Sequence, residues 1–572
     1  MQISIILIAG LIFLFSFNFT QNDGEVNLLL TITTTLTFTF LPGIIAYFWG
    51  IAATRHLSDE MEDRIRQVYL AKRVFSSFEI IILAAFIAEI YYFNLPLLID
   101  QWLGFLTFNY SRRLLAMLPL MIGMLLVRLS HYELDKRARL TGWTRRGFLS
   151  FNVKMTLLPV IPLFIYLSFI DLIEHSPIQI RTFFISHSYL SLLILVIFIL
   201  LAYIKAPMIL RFIWPAKPLR DQELYDKIDQ LAHNHGITYK HLLVWQTGGA
   251  KIANAGVSGL LPGSRSIFMT DYLLENFSHD EIETIVAHEF GHIKYRHIHV
   301  YLMFSLAYFL CYLLFYIHIG PFLEKFVGNG PIAGATITIS FFYLYFVLLF
   351  RYFSRKFERQ ADLYAVAITG KPVVFQEALW RLSEVNYIPR AIKRLSEMLH
   401  THPSINRRLE FINRMIAGDR KAVRYKKPLV EAKLILFATP ILFVLLIFGG
   451  ADMFLPPADV HYEIGRQYYN EALKEEENNA KLPSPASPLP KGVRELSSPK
   501  KRSAKLDKAF QEFQKVIELD AEHEDAHYAL GAVYMELGDL KKAVEEFKRV
   551  LEINPDNTNA QKTLKIIEAQ VE

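Results

Sequence analysis

The chain has 572 residues, of which 52% are hydrophobic and only 20% charged, and its mean hydropathy is +0.26. Such a balance excludes one soluble globule and points to a membrane protein with soluble parts attached. The formal charge of +6 does not mark a nucleic-acid partner, because Lys and Arg gather in short segments between apolar runs instead of covering one soluble face.

Nine apolar runs are long enough to be read as membrane spans. Six come first, at 5–19, 28–49, 80–98, 114–127, 155–170 and 189–204. The first has no basic segment before it and no small-residue cleavage site, so it reads as an anchor and not a cleaved signal. The fourth is short, and snorkelling of Arg113 and Arg128 at its ends would extend it. Glu89 falls inside the third run; a carboxylate there is either functional or lines a polar cavity near the interface.

Loop charge sets the expected orientation. Arg55, Arg64, Arg66, Lys72 and Arg73 follow the second run, and Arg128, Lys136, Arg137, Arg139, Arg145, Arg146 and Lys154 follow the fourth. The alternate loops carry little: Arg112 and Arg113 after the third run, Arg181 after the fifth, Lys325 after the seventh. The N-terminus, the motifs below and the basic stretch 420–427 are therefore expected in the cytoplasm, with the C-terminal tail outside. A bacterial inner membrane fits this bias.

After the six runs comes His288-Glu289-Phe290-Gly291-His292, an H-E-x-x-H sequence. Ser278 and Glu281 fit a capping box, and Ile282, Ile285, Val286 and Phe290 give an apolar face, so the segment reads as a helix. Residues four apart lie one turn above each other, which lets both imidazoles reach one ion while Glu289 stands beside them. His297 and His299 are weaker candidates; His297, five residues past His292, is rotated off the ligand face and reads as interfacial. The single cysteine, Cys311, excludes thiolate zinc clusters and an internal disulfide, so any metal must be held by His and carboxylate.

Runs 300–319 and 332–350 follow, then Ser354-Arg355-Lys356-Phe357-Glu358-Arg359-Gln360-Ala361-Asp362. A catalytic zinc needs a third protein ligand and one open position. Glu358 can supply that ligand, with Asp362 on the same face to hold a ligand histidine. On the residues alone, a salt-bridged surface helix accounts for the same segment.

A ninth run spans 434–454. From Ala458 onward Leu530, Gly531, Tyr534, Ala543, Phe547 and Pro555 fall at the spacing of a tetratricopeptide repeat, and Ala509 and Phe513 stand one repeat earlier. Ile464, Gly465 and Tyr468 look like the first helix of another repeat, separated from its second helix by a Pro/Ser/Lys-rich insertion at 478–503 that reads as low-complexity and disordered. Leu564 opens a capping helix. Such modules bind peptides or partner proteins, or act as spacers.

H-E-x-x-H followed after two runs by S-R-x-x-E-x-x-A-D resembles the integral-membrane gluzincin family of CAAX prenyl endopeptidases and the heat-shock peptidase HtpX. Asn254-Ala255 in K-I-A-N-A-G-V-S-G resembles that family's N-A strand. Thr401-His402-Pro403-Ser404 with Arg408 resembles its H-P-x-x-x-x-R motif. The resemblance implies one zinc per chain on His288, His292 and Glu358, Glu289 as general base, His402 as donor to the oxyanion with Arg408 nearby, and Asp362 as support. It also implies an extended substrate bound along a sheet edge at 254–257, with strands 242–246 and Ser266–Thr270 completing the sheet. The CAAX enzymes of that family have seven spans and a cytosolic tail; the extra runs and repeats here depart from them.

The expected fold is mainly α: a polytopic α-helical membrane protein with an embedded zincin-like domain, built from a small β-sheet and the H-E-x-x-H helix, and a C-terminal α-α repeat module. The expected divisions are a membrane domain at 1–206, a peptidase domain at 207–430 interrupted by two spans, a ninth span at 431–455 and the repeats at 456–572. The expected function is peptide hydrolysis at the cytoplasmic face, with protein or peptide substrates, membrane lipid, a possible protein partner for the repeats and no nucleic acid. CAAX-type processing of lipidated proteins and a catalytically silent scaffold are the competing readings; the intact Glu289 argues against the scaffold.

Overall fold

The computed structural model describes residues 27–571 except 56, 107, 159, 188, 328–330, 399, 420–428, 450–456 and 482–502. The run at 5–19, the basic stretch 420–427 and most of the insertion at 478–503 lie outside the described residues. The chain divides into two compact units, one made of Met1–Asp171 with Val196–Leu442, the other of Leu172–Leu195 with Phe443–Glu572.

The first unit opens with apolar helices. Helix α1 (Leu28–Thr54) starts at Asn27, whose side chain accepts the Leu30 N–H, and the hydroxyls of Thr33, Thr34 and Thr37 donate to carbonyls one turn back at 2.7–2.8 Å. Those internal bonds let threonines sit in an apolar helix without exposing a free donor. Helix α2 (Met61–Tyr91) carries Arg64, Arg66, Lys72 and Arg73 on its first turns, so these basic residues ride a helix and not a loop. Helix α3 (Leu118–Arg139) is continuous with the turns from Asn109, so the short fourth run belongs to an apolar helix Asn109–Arg139 that is long enough to cross a membrane. Helices α4 (Arg145–Leu157) and α5 (Val160–Glu174) meet at a 42° bend inside the fifth expected run. Helix α6 (Tyr189–Ile213) is the sixth.

Among the described residues five helices are long and apolar enough to span a membrane, or six if the bent pair counts as one span. The seventh and ninth runs appear as the shorter apolar helices His297–Tyr312 and Ala432–Leu442. Polar groups between the helices are mostly paired. Arg128 meets Glu79 at 3.0 Å, Asp100 holds Arg112 and Arg113 at 2.8 and 2.6 Å, and the Asp171 carboxylate accepts the N–H groups of Tyr110 and Ser111 at 2.8 Å each. Glu89 is buried, and its Oε2 finds no hydrogen-bond partner among the described residues.

Strand β1 (Ala216–Pro218), helix α7 (Gln222–Asn234), β2 (His241–Trp245), β3 (Ala255–Ser258) and β4 (Ser266–Thr270) follow. The sheet order is β1-β2-β4-β3, with β2 and β4 parallel and the other pairs antiparallel. Strand β3 is therefore an edge. Alternation along the strands sends Leu242, Ile267 and Met269 to one face, where Leu273, Val286, Ala287 and Phe290 complete a core.

Helices α8 (His279–Lys294), α9 (His297–His318), α10 (Phe350–Thr369), α11 (Pro372–Val385), α12 (Ile405–Ile416) and α13 (Val430–Gly449) finish the unit. A π-helical stretch, Tyr343–Leu349, leads into α10.

The second unit contains α14 (Pro457–Lys481), α15 (Ala504–Leu519), α16 (Glu524–Glu536), α17 (Leu540–Ile553) and α18 (Thr558–Val571). A Cβ on Gly531 would come within 2.9 Å of the Phe547 ring, and one on Gly465 within 2.7 Å of the Phe513 ring. The equivalence pairs α14 with α15 as one repeat, so the insertion separates the two helices of that repeat. In the same unit the helix Ile178–Ser186 lies against α14, where Arg181 donates to Gln467 and Glu471 at 3.1 and 2.6 Å.

Candidate metal centre and its surroundings

Helix α8 begins with the expected capping box: the Ser278 hydroxyl accepts the Glu281 N–H, and Glu281 returns to the Ser278 N–H at 2.8 Å. Asp280 and Glu283 at this end are paired with Lys227 and Lys371. The helix is buried along most of its length, which fixes the direction in which His288 and His292 project.

Helix α10 crosses α8 closely because neither helix places bulk at the contact. A Cβ on Gly291 would lie 2.7 Å from the Ala361 Cα, so the glycine of H-E-F-G-H and the alanine of E-R-Q-A-D set the approach. Glu358 and Asp362, on either side of Ala361, are thereby brought to the two histidines.

Three side chains converge. His288 Nε2 and His292 Nε2 are 3.2 Å apart, and each lies 3.5 Å from a Glu358 carboxylate oxygen. Among the described residues these are the only His, Cys, Asp or Glu groups clustered tightly enough to hold a metal. Zinc bonded to N and O at about 2.0–2.2 Å in tetrahedral geometry needs ligand atoms about 3.3–3.6 Å apart. The two His–Glu distances, which run to opposite oxygens of the carboxylate, fall in that range, and the His–His distance of 3.2 Å is just below its lower end. Glu358 is buried, and its Oε2 also faces His402 Nδ1 at 2.8 Å. Two imidazoles and a buried carboxylate are ligand types that zinc takes, and their spacing is close to that of its coordination shell.

The supports around the cluster are layered. Asp362 Oδ1 lies 2.8 Å from His288 Nδ1, which directs the ring proton to the carboxylate and leaves Nε2 with a lone pair. Arg408 forks onto Asp362 at 2.9 and 2.5 Å, so Arg408 holds the carboxylate that holds the histidine. Burial opposes protonation of His288, but Asp362 and Glu358 outweigh it and raise the imidazole to about 10, a measure of how strongly the site attracts positive charge. His292 moves the other way, well below its ordinary value, because it is buried beside an already charged partner. Burial pushes the Glu289 carboxyl up to about 7, which suits a base working near neutral pH.

His402 stands at the rim, 64% exposed, and the Glu358 carboxylate beside it raises its pKa. Its loop is pinned from two sides. Arg355 donates to the carbonyls of Met398 and His400 at 3.1 and 3.0 Å, and the buried Glu397 accepts the Ser404 N–H at 2.8 Å and pairs with Arg407. Neither Arg355 nor Glu397 was singled out from the sequence, although Arg355 is part of the S-R-x-x-E segment. Ala255 opens the edge strand, and Asn254 directly precedes it. The Asn254 backbone bonds to Thr270 in both directions at 3.0 Å, and the Asn386 side chain clamps both polar groups of the Ala253 peptide at 3.2 and 2.7 Å.

His297 corrects one expectation. It is not interfacial but buried, with Nδ1 2.9 Å from His292 Nδ1 and Nε2 2.9 Å from Gln360 Oε1. Helix α8 has ended by then, and Arg296 takes a left-handed conformation (φ 57°) that turns the chain back. Counting residues along one continuous helix misplaced it.

Residues 218–416 match the profile of Peptidase family M48, and residues 502–565 match that of a tetratricopeptide repeat. The chain carries an M48 peptidase. It is similar to a protease HtpX homolog of Aeropyrum pernix, 25% identical over 283 residues that cover 40% of this chain and 85% of that one. A CAAX prenyl protease 1 of Saccharomyces cerevisiae is 30% identical over 224 residues, covering 34% of this chain and 48% of that one. The crystal structure of S. mikatae Ste24p aligns over 68% of this chain and 99% of its own, at 22% identity and a TM-score of 0.46. The matched segment is an M48 metallopeptidase domain set among apolar helices and followed by a repeat module.

Proposed function

We propose that the protein is a membrane-integral zinc endopeptidase that cuts extended or unfolded protein or peptide substrates at the cytoplasmic side of the membrane. The observation that carries this reading is the convergence of His288, His292 and Glu358 in one tight cluster with Glu289 beside them. His288, His292 and Glu358 would hold one zinc per chain, which would supply Lewis-acid activation of water and of the scissile carbonyl. Glu289 takes the proton of the attacking water and passes it to the leaving nitrogen. His402 donates to the oxygen that becomes negative as the carbonyl turns tetrahedral. Asp362 and Arg408 hold His288 in the required tautomer.

The free edge of β3 offers the Asn254–Ser258 region to an extended chain, which would bond through its main chain and so be chosen for lack of folding more than for sequence. Loop charge supports the cytoplasmic placement of this site and a bacterial inner membrane. The shared unit of the loop Leu172–Leu195 and the repeats fits the same arrangement, because both are expected outside. There the repeats would take a protein partner. The proposed division keeps a membrane domain at 1–206, the peptidase at 207–430 and the repeats from 456.

Purified parent and Glu289→Gln are expected to bind about one zinc each, while only the parent cleaves a quenched unfolded peptide. Absence of zinc from both would overturn the reading. The likeness to a protein named CAAX prenyl protease 1 favours processing of lipidated substrates as a second reading. Cleavage of a prenylated peptide much faster than of its unprenylated form would select it.

A further inference from the structure

The two histidines of the cluster are held differently. His288 faces a carboxylate, whereas His292 faces another histidine, His297, which in turn faces an amide. With the Gln360 amide oxygen turned toward the ring, the protons in this second chain follow. Gln360 Oε1 only accepts, so the hydrogen at 2.9 Å belongs to His297 Nε2. A neutral His297 then has a bare Nδ1, which accepts from His292 Nδ1–H across 2.9 Å. His292 is left with its lone pair on Nε2, the atom 3.2 Å from His288 Nε2 and 3.5 Å from Glu358.

The surroundings hold the chain in place. His297 and Gln360 are each 1% exposed, and the His297 ring stacks on Phe357 at 4.3 Å and 13°. The left-handed turn at Arg296 delivers His297 to this position at some backbone cost. Any buried histidine needs partners for its ring nitrogens, and here the partner of Nδ1 is His292 itself.

We propose that Gln360 and His297 form a proton-ordering relay that fixes the tautomer of His292 and thereby sets how tightly the site holds zinc. The proposal rests on the reading that His288, His292 and Glu358 hold the metal. His297 and Gln360 are positioning residues, since both act through His292.

The test is zinc affinity, measured by chelator competition on the full chain in detergent and read without reference to activity. His297→Phe keeps a ring on Phe357 and removes the acceptor; its affinity should fall about 10–100-fold. Gln360→Leu should weaken binding in the same sense. Leucine keeps most of the bulk of the side chain and removes only the acceptor, so a loss there reports ordering more than packing. Equal binding by parent, His297→Phe and Gln360→Leu would overturn the relay. If His297→Phe fails to fold, Gln360→Leu decides. A parent that binds no zinc would sink the metal site itself, a result distinct from an intact site indifferent to the relay.

Discussion

Gly291→Ala is the sharpest perturbation of the centre, because it adds one methyl group and touches no functional side chain. The new Cβ would sit 2.7 Å from the Ala361 Cα and 3.1 Å from its Cβ. Ordinary carbon contacts lie at about 3.5–4.0 Å, so α8 and α10 must part by about 0.8 Å or more. Both backbones are buried and helical, so no flexible side-chain end can absorb the overlap. Overpacking of this kind costs about 1–3 kcal/mol. The larger consequence is at the site, where the His–Glu edges of 3.5 Å would open past 4 Å, beyond the tolerance of about 0.5 Å within which such constellations work. We expect a lower melting temperature, weaker zinc binding and a fall in kcat/KM of about 100-fold. The assays are a thermal melt in detergent, chelator competition and peptide cleavage. A Gly291→Ala protein with the parent's zinc affinity and turnover would refute the argument that this contact sets the ligand geometry.

Asp362→Ala leaves the largely buried Arg408 without its carboxylate and should destabilise the fold by about 3 kcal/mol, much of it recovered in Asp362→Ala/Arg408→Met, while zinc remains about 10–100-fold weaker in both; melts and chelator competition separate the two effects. Arg355→Met should loosen the His402 loop and lower kcat by less than the roughly 100–1000-fold expected for His402→Ala, with zinc affinity unchanged, as kinetics and metal titration would show. The hydrogen bonds from Lys227 and then Lys371 hold the Asp280 carboxyl down at about 2. A depressed carboxylate stabilises above its unfolded value of about 3.9 and loses that contribution as pH falls through about 2. Asp280→Asn should therefore melt below the parent at pH 7, by well under 1 kcal/mol for so exposed a pair, with the gap closing from about pH 4 toward pH 2.

Local chemistry made much of this protein legible in one dimension. The capping box at Ser278, the one-turn spacing of His288 and His292, and the repeat positions Gly531 and Phe547 are set by the geometry of a single helix or helix pair, so the sequence states them directly. The apolar runs were equally visible, but their ends were not. Membrane helices extend past their hydrophobic stretch wherever basic side chains can reach the interface, as α2 and α3 do, and a bend divides the run shared by α4 and α5. The third ligand position could be named only through a family pattern, since residues alone do not say which distant carboxylate meets a histidine pair. Tertiary structure answers that through the Gly291–Ala361 contact, which brings Glu358 and Asp362 to α8. It alone also decided the supports. Arg408 grips Asp362, Arg355 pins the His402 loop, and the reversed turn at Arg296 carries His297 to His292, because each of these depends on where one element ends and another crosses it, information that no single helix period contains.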